Sequence, residues 1–337
     1  MAATLGLSRS PGFLETLIGD GRPLFKLTAL SLALAGTFAI FQASTGEFLP
    51  HDVAYLQMTA RELCGLNECR IVHFMVHDRI SFGGSLIAIA TLYLWLAEFP
   101  LRQGERWAWW TLLVSGVTGF GSFLTYLGYG YLDTWHGVAT LALFPCFGAG
   151  LWLSRRHLRP GPAAEPGGLP WRSILSSGFR GEWRSAAGLG RIGLVLAAVG
   201  MIGGGLTIQA IGMTRVFVET DLAYLELTRE QVDAINPRLI PLIAHDRAGF
   251  GGGVVTAGWL LLASAWCSPM TRALWQACLI AGLAGWTTAI GVHPAIGYND
   301  PLHLAPAVLG ASLFTTGLLL SRDGLEPKSR PRLDGPT

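Results

Sequence analysis

Three short blocks that carry acids, histidines and arginines each occur twice in the chain. Neutral histidine is the commonest metal ligand in proteins, and a neighbouring carboxylate can orient its ring. The same residue types can act as general acids and bases. The paired blocks are Asp52-Val-Ala-Tyr-Leu-Gln-Met-Thr59 with Asp221-Leu-Ala-Tyr-Leu-Glu-Leu-Thr228, His77-Asp78-Arg79 with His245-Asp246-Arg247, and Gly130-Tyr-Leu-Asp133-Thr-Trp-His136 with Gly297-Tyr-Asn-Asp300-Pro-Leu-His303.

The distance between the two copies of each block is nearly constant. It is 169 residues for the first block, 168 for the second and 167 for the third. Unrelated matches would not keep one order and one spacing, so the blocks predict a tandem duplication. Each copy is predicted to hold an even number of membrane spans, so both copies would insert in the same orientation.

The elements that must position these blocks are apolar helices. Apolar residues make up 51% of the 337 residues and charged residues only 14%, against about 25% charged in a soluble domain. The mean hydropathy is +0.43. A net charge of +2 gives no field that would favour nucleic acid. The expected partners are the lipid bilayer and subunits of a membrane complex.

Eight segments are apolar enough to cross a bilayer, which takes about 20 residues. We therefore predict an all-α polytopic membrane protein of eight transmembrane helices, built as two four-helix repeats. The predicted spans are 27–44, 80–98, 107–129, 136–154, 190–212, 248–267, 271–292 and 303–321. The predicted domains are a segment 1–26, a first repeat 27–154, a linker 155–189, a second repeat 190–321 and a tail 322–337.

Arginines predict the orientation of the chain. They crowd the linker region from Arg155 to Arg191, and basic residues follow the last span from Arg322 to Arg332. By the positive-inside rule, both regions and both termini are cytoplasmic, so all three blocks lie on the outer side. The first 26 residues lack the pattern of a cleavable signal peptide. We expect a bacterial inner (plasma) membrane.

Structural roles would explain many of the block aspartates. Asp is a favoured helix N-cap. Asp133 and Asp300 would cap spans four and eight, and Asp78 and Asp246 would cap spans two and six. The alternative is that these carboxylates orient histidine rings from behind.

The remaining charged block residues have the same two interpretations. Arg79 and Arg247 would pair with the acids or with lipid phosphates. Asp52 and Asp221 fall on segments that resemble short amphipathic helices at the membrane surface. In a functional site, all four would surround the histidines.

Four histidines are the strongest candidates for a cofactor site: His77, His136, His245 and His303. Ionisable groups at membrane depth are candidates for function, and a helix N-terminus favours the neutral, metal-binding form of imidazole. We expect His77 to meet His136, and His245 to meet His303, around a transition metal or a haem. Otherwise the four satisfy local hydrogen bonds only.

The other histidines are not repeated. His73 and His293 have no counterpart in the other copy, and either would make the two sites unequal. His51 matches Thr220 in the repeat, and His157 lies in the linker; both are predicted at the surface.

Two cysteines lie close together in the first outer loop. Cys64 and Cys69 would close a small disulfide on an oxidising face. Cys146, Cys267 and Cys278 lie in or near spans and are predicted to pack there.

The plan of the chain resembles haem A synthase, a family of two pseudo-symmetric four-helix bundles with histidines on the second and fourth helix of each. That family also has a cysteine pair in an outer loop. The resemblance implies haem-facing pairs of His77 with His136 and His245 with His303. It covers most of the chain in architecture, but the family's glutamate positions hold Phe74 and Leu242 here.

Three classes of function follow from the residues. The first is a haem- or metal-binding membrane protein, with oxidoreductase chemistry at its outer face. The second is a non-enzymatic component, such as a transporter, a lipid-binding protein or an accessory subunit. A membrane hydrolase or transferase that uses the acids and histidines is a third reading.

Overall fold

The computed structural model describes residues 12–124, 130–131, 133–159 and 184–322, and all regular secondary structure in these residues is helical. The α-helices are α1 Phe13–Ile18, α2 Arg22–Ser44, α3 Pro50–Leu56, α4 Ala60–Leu66, α5 Arg70–Glu98, α6 Arg106–Leu124, α7 Thr134–Ser154, α8 Ala186–Gly212, α9 Glu219–Leu225, α10 Arg229–Ile235, α11 Leu239–Cys267, α12 Arg272–Ile296 and α13 Pro301–Arg322.

The same order of helix lengths occurs twice. A long helix is followed by two 7-residue helices and then by a 29-residue helix, as α2 to α5 and again as α8 to α11. The second short helix begins each time with a capping box, because Thr59 and Thr228 exchange hydrogen bonds with Glu62 and Gln231. These caps satisfy backbone N–H groups that no helical turn can reach.

Helices α5 and α11 form the centre of the molecule, and the other long helices surround them. Large apolar side chains point outwards from the surrounding helices, among them Leu34, Leu141 and Leu309. Seven of the described helices are long and apolar enough to cross a membrane: α2, α5, α7, α8, α11, α12 and α13. The seven long apolar helices are therefore compatible with a helical integral membrane protein.

The predicted span 107–129 overlaps α6, which is described only to Leu124 and is not among the seven. The count of eight spans thus stays a prediction. The middle of the predicted linker (160–183), the tail beyond Arg322 and residues 1–11 also lie outside the described residues.

The helices of the two halves interlock. Helix α6 of the first half packs mainly against α11 of the second, and α12 of the second half packs closely against α5 of the first. The last helix of each half packs between the first helix of its own half and the exchanged helix, since α7 contacts α2 and α6, and α13 contacts α8 and α12. This exchange brings the start of α7 towards α11 and the start of α13 towards α5.

Glycines allow two of these helix pairs to approach closely. A Cβ at Gly83 on α5 would lie 2.7 Å from the carbonyl oxygen of Gly36 on α2. A Cβ at Gly205 on α8 would lie 2.7 Å from the carbonyl oxygen of Gly251 on α11. Both distances are too short for a side chain, so these positions of the Phe-Gly-Gly sequences fix helix contacts.

Candidate metal centre

The His-Asp-Arg blocks lie inside helices, about two turns from the first residue. Helix α5 begins at Arg70 and α11 at Leu239, not near 80 and 248 as predicted. Asp78 and Asp246 are therefore not N-caps. Charged side chains continue the helices there because each finds an opposite charge on the neighbouring central helix.

The ion pairs cross between α5 and α11. The Arg79 Nε–H donates to Oδ2 of Asp246 at 2.8 Å, and the Arg247 Nε–H donates to Oδ2 of Asp78 at 3.3 Å. Each half thus supplies the arginine for the acid of the other half. The pairs join the two central helices at the depth of His77 and His245.

Each arginine also binds an acid from a short surface helix. An Nη1–H of Arg79 donates to Asp52 on α3 at 2.7 Å, and an Nη1–H of Arg247 donates to Asp221 on α9 at 2.6 Å. Both acids are buried, so they belong to the site although they lie on the predicted amphipathic segments. Each arginine connects two carboxylates.

Two tyrosines complete these networks. The Tyr131 hydroxyl donates to Asp52 at 2.6 Å, and the Tyr298 hydroxyl donates to Asp221 at 2.8 Å. Burial and the adjacent carboxylate raise the pKa of each tyrosine well above its ordinary value. Each hydroxyl therefore keeps its proton and acts as a donor to its carboxylate.

Three histidines converge at the first site: His77 from α5, His293 from α12 and His303 from α13. One ring nitrogen of each lies within 4.8 Å of those of the other two. His77 and His293 are buried, with 4% and 2% of their surface exposed. The Nε2 atoms of these two rings are 3.1 Å apart.

The other nitrogens of this pair are already engaged. Nδ1 of His77 lies 2.8 Å from Oδ1 of Asp78, and Nδ1 of His293 lies 2.9 Å from the carbonyl oxygen of Tyr298. Carboxylate and carbonyl oxygens only accept hydrogen bonds, so in a neutral ring each Nδ1 carries the hydrogen. Two lone pairs on Nε2 then face each other, an arrangement that requires a cation or an added proton between them.

His303 is oriented in the same way. Its Nδ1 lies 3.0 Å from the Tyr298 hydroxyl, whose single proton goes to Asp221 because a carboxylate cannot donate. Nδ1 of His303 must then donate, which leaves Nε2 to bind a metal. All three rings present the tautomer that metal-binding histidines use when a partner holds the other nitrogen.

The charges around this site favour a cation. Asp78 and Asp221 share the single guanidinium of Arg247, so one negative charge remains uncompensated. A tetrahedral zinc ion with bonds of about 2.0–2.1 Å separates its nitrogen ligands by roughly 3.3 Å. The distance between His77 and His293 is close to that value, so only small movements of the rings would complete a three-histidine site.

The second group lies at the corresponding place in the other half. Nδ1 of His136 is 3.2 Å from Nε2 of His245, whose own Nδ1 is 3.1 Å from Asp246. Asp133 joins these two histidines in a group whose donor atoms all lie within 4.8 Å. Asp133 also caps α7, since it accepts from the backbone N–H groups of Trp135 and His136.

The four repeated histidines meet across the two halves and not within each predicted repeat. His77 groups with His293 and His303, while His136 groups with His245. The exchange of α6 and α12 between the central helices is the physical reason. No group found among the described residues contains both members of a haem-facing pair implied by the resemblance to haem A synthase.

Haem does not fit between His77 and His293. A bis-histidine haem holds its iron and macrocycle between nitrogens roughly 4 Å apart, in a flat slot. The facing nitrogens here are 3.1 Å apart. The rings of Phe74, Phe250 and Tyr298 surround His77 at centroid distances of 6.5, 6.3 and 6.2 Å, where a macrocycle would need space. A single metal ion fits these donors better.

Two histidines lie closer to the candidate metal sites than the sequence predicts. His51 was predicted at the surface, but its Nε2 lies 2.9 Å from Oδ2 of Asp133. His293 was recognised only as an unrepeated histidine that would make the sites unequal, whereas it faces His77 directly. His73, the other unrepeated candidate, belongs to none of the groups found among the described residues.

The remaining predicted residues have structural roles. The Asp300 carboxylate accepts from the backbone N–H of His303 at 2.8 Å and caps α13. Cys64 and Cys69 form a disulfide between α4 and α5. Cys267 and Cys278 are buried thiols, and Cys146 is partly buried.

No protein-family model, curated protein or solved structure matches this chain.

Proposed function

We propose that this chain is a metal-binding integral membrane protein whose principal centre is the ion site of His77, His293 and His303. In this proposal the helices are eight spans from a tandem duplication. Both termini are cytoplasmic, and the site lies on the outer side of a bacterial inner membrane. The His/Asp groups could hold a metal by their geometry, and the long apolar helices suggest a membrane protein.

One observation carries the proposal. The Nε2 atoms of His77 and His293 face each other at 3.1 Å, while both Nδ1 atoms are engaged with oxygen acceptors. A transition metal relieves the repulsion between the two lone pairs and binds both rings. Three neutral imidazoles suit copper or zinc, and a four-coordinate ion bound by them keeps one position for a further ligand.

The identity of the ion decides between two chemistries. Copper would change oxidation state and support the oxidoreductase function. Zinc does not change oxidation state and would instead polarise a substrate or lower the pKa of a bound water. The chain's own contribution is the same in both cases: Asp78, Tyr298 and the Tyr298 carbonyl fix the rings, and Arg247 fixes the acids.

Elemental analysis of the purified protein, with an absorption spectrum, tests the proposal. We expect bound copper or zinc and no Soret band. We expect His77→Gln to lower the metal content by one equivalent per chain. His73→Gln is the matched control, because His73 lies one turn earlier on α5 and outside the cluster. A wild-type protein that binds no metal after reconstitution would contradict the proposal and favour a non-enzymatic membrane component.

A further inference from the structure

The two histidine groups occupy corresponding places but contain different donors. His245 corresponds to His77, and His136 corresponds to His303. The third member differs, because Asp133 completes the second group and His293 completes the first. Asp300, the counterpart of Asp133, is absent from the first group. The fold therefore holds one set of three imidazoles and one set of two imidazoles with a carboxylate, and Asp133 of the second set also groups with His51 and Asp52.

The donor atoms of the second set lie within 4.8 Å of one another. Nε2 of His245 is 3.2 Å from Nδ1 of His136, and Oδ2 of Asp133 is 3.5 Å from the same Nδ1. The other ring nitrogen of His245, Nδ1, lies 3.1 Å from Oδ1 of Asp246. Two histidines and one carboxylate that leave coordination positions open are the set that binds non-haem ferrous iron, and the same donors accept zinc.

The charges around the second set favour a divalent cation more strongly than those around the first. Arg79 binds the carboxylates of Asp52 and Asp246, whereas Asp133 pairs with His51 and His136. Two negative charges thus remain uncompensated by arginine, whereas the three-histidine site has one. Burying unpaired carboxylates is costly, and a bound divalent ion would offset that cost.

His51 supports the carboxylate of this set. Its Nε2 contacts Oδ2 of Asp133 at 2.9 Å, so the ring positions the carboxylate. Its Nδ1 is buried and has no hydrogen-bond partner among the described residues. The other copy has Thr220 at this place, which matches the absence of a carboxylate ligand from the first group.

We propose that Asp133, His136 and His245 form a second metal site, of a different chemical class from the three-histidine site, which takes a divalent first-row ion such as ferrous iron. His51 is a positioning residue that holds the Asp133 carboxylate. This site adds to the proposed function and does not depend on the first site being filled.

Zinc counting on the full-length protein in detergent tests this proposal. The protein is stripped with a chelator, incubated with excess zinc, desalted and analysed for bound metal. We expect two equivalents in the wild type and one in Asp133→Asn. Asn is as good an N-cap as Asp, so this change removes the carboxylate while α7 keeps its cap. Asp300→Asn is the matched control and should keep both equivalents.

Three further variants separate the two proposals. His136→Gln should lose the same equivalent of zinc as Asp133→Asn. If Asp133→Asn does not fold, His136→Gln alone tests whether the second site binds zinc. His293→Gln should lose the other equivalent, and the His293→Gln/Asp133→Asn double variant should bind none. If the wild type binds one ion that His293→Gln removes and His136→Gln spares, the second site is overturned and the first stands. If His136→Gln removes an ion and His293→Gln removes none, the first site fails and the second stands.

The metal class is tested with the His293→Gln protein, which keeps only the second site. Anaerobic incubation with ferrous iron followed by desalting should leave one equivalent of iron, and His136→Gln added to this background should leave none. Retention of zinc but no iron in the His293→Gln protein would overturn the assignment to ferrous iron. Equal iron content in the single and double variants would overturn the site itself.

Discussion

The Nε2 atoms of His77 and His293 lie 3.1 Å apart, although these residues are 216 positions apart in the chain. Both rings are buried, and each Nδ1 is held by an oxygen that can only accept. Neutral rings in this arrangement repel each other. The packing of α12 against α5 brings these two rings together, and the proposed metal would lie between them.

Replacing Tyr298 with Phe should weaken metal binding without unfolding the protein. The Tyr298 hydroxyl holds Nδ1 of His303 at 3.0 Å and donates to Asp221. Loss of such a supporting hydrogen bond typically costs about 10–100-fold in metal affinity. Competition with a chromogenic zinc chelator would measure the change.

Tyr131→Phe is the matched control for this experiment, because Tyr131 supports Asp52 and contacts the ring of His245. It should leave the affinity of the three-histidine site unchanged. An equal loss of that affinity in both variants would mean that the tyrosines act through general stability.

Arg247→Leu should strongly destabilise the protein. Arg247 is buried and binds both Asp78 and Asp221, so its removal leaves two buried carboxylates without a counter-ion. Breaking a buried ion pair from one side typically costs about 3–5 kcal/mol. Thermal unfolding in detergent should show a clear fall in Tm.

Arg102→Leu provides the comparison for that fall. Arg102 is exposed and pairs with Glu98 on the helix surface, where ion pairs contribute little. Its Tm should stay close to that of the wild type. Equal Tm values for the Arg247 and Arg102 variants would contradict the structural role given to the crossed ion pairs.

Gly205→Leu should prevent close packing of α8 against α11. Its Cβ would lie 2.7 Å from both the Gly251 carbonyl oxygen and the Val255 nitrogen, and neither backbone atom can move aside cheaply. Gly203→Leu, two residues earlier, meets open space and should be tolerated. Yield of monodisperse protein by size-exclusion chromatography measures the difference, and equal yields would contradict this helix contact.

The proposed orientation predicts where cysteines can be labelled. In a variant whose other three cysteines are serine, Cys64 and Cys69 should react with a membrane-impermeant maleimide from outside the cell only after reduction. A cysteine placed at Arg102, beyond the opposite end of α5, should react only in inverted vesicles. Labelling of Cys64 or Cys69 only in inverted vesicles would reverse the proposed topology.

The sequence predicts the helical class and the repeated blocks because both depend on local patterns. Apolar runs predict the long helices, and Asp133 is the N-cap that its position before span four suggests. The boundaries of α5 and α11 were missed because polar residues such as Asp78 and Arg247 look like helix ends. They continue the helix only because their partners lie on another helix, which no local pattern contains.

The composition of the site was less predictable than its location. The repeat marks His77, His136, His245 and His303, but it also suggests pairing inside each half. The actual groups depend on the exchange of α6 and α12, which is a tertiary contact. His293 stands outside every repeated block, so the repeat predicts no partner for it, and only the tertiary contact of α12 with α5 brings it to His77.

X-ray absorption at the zinc edge identifies the ligands of the three-histidine site. The Asp133→Asn protein, which keeps only this site, is loaded with one equivalent of zinc and compared with His293→Gln, which keeps only the second site, loaded in the same way. We expect nitrogen ligands at about 2.0–2.1 Å with the scattering of three imidazoles in Asp133→Asn, and fewer imidazoles in His293→Gln. A spectrum of Asp133→Asn without imidazole scattering, or one identical to that of His293→Gln, would contradict the claim that His77, His293 and His303 bind one ion.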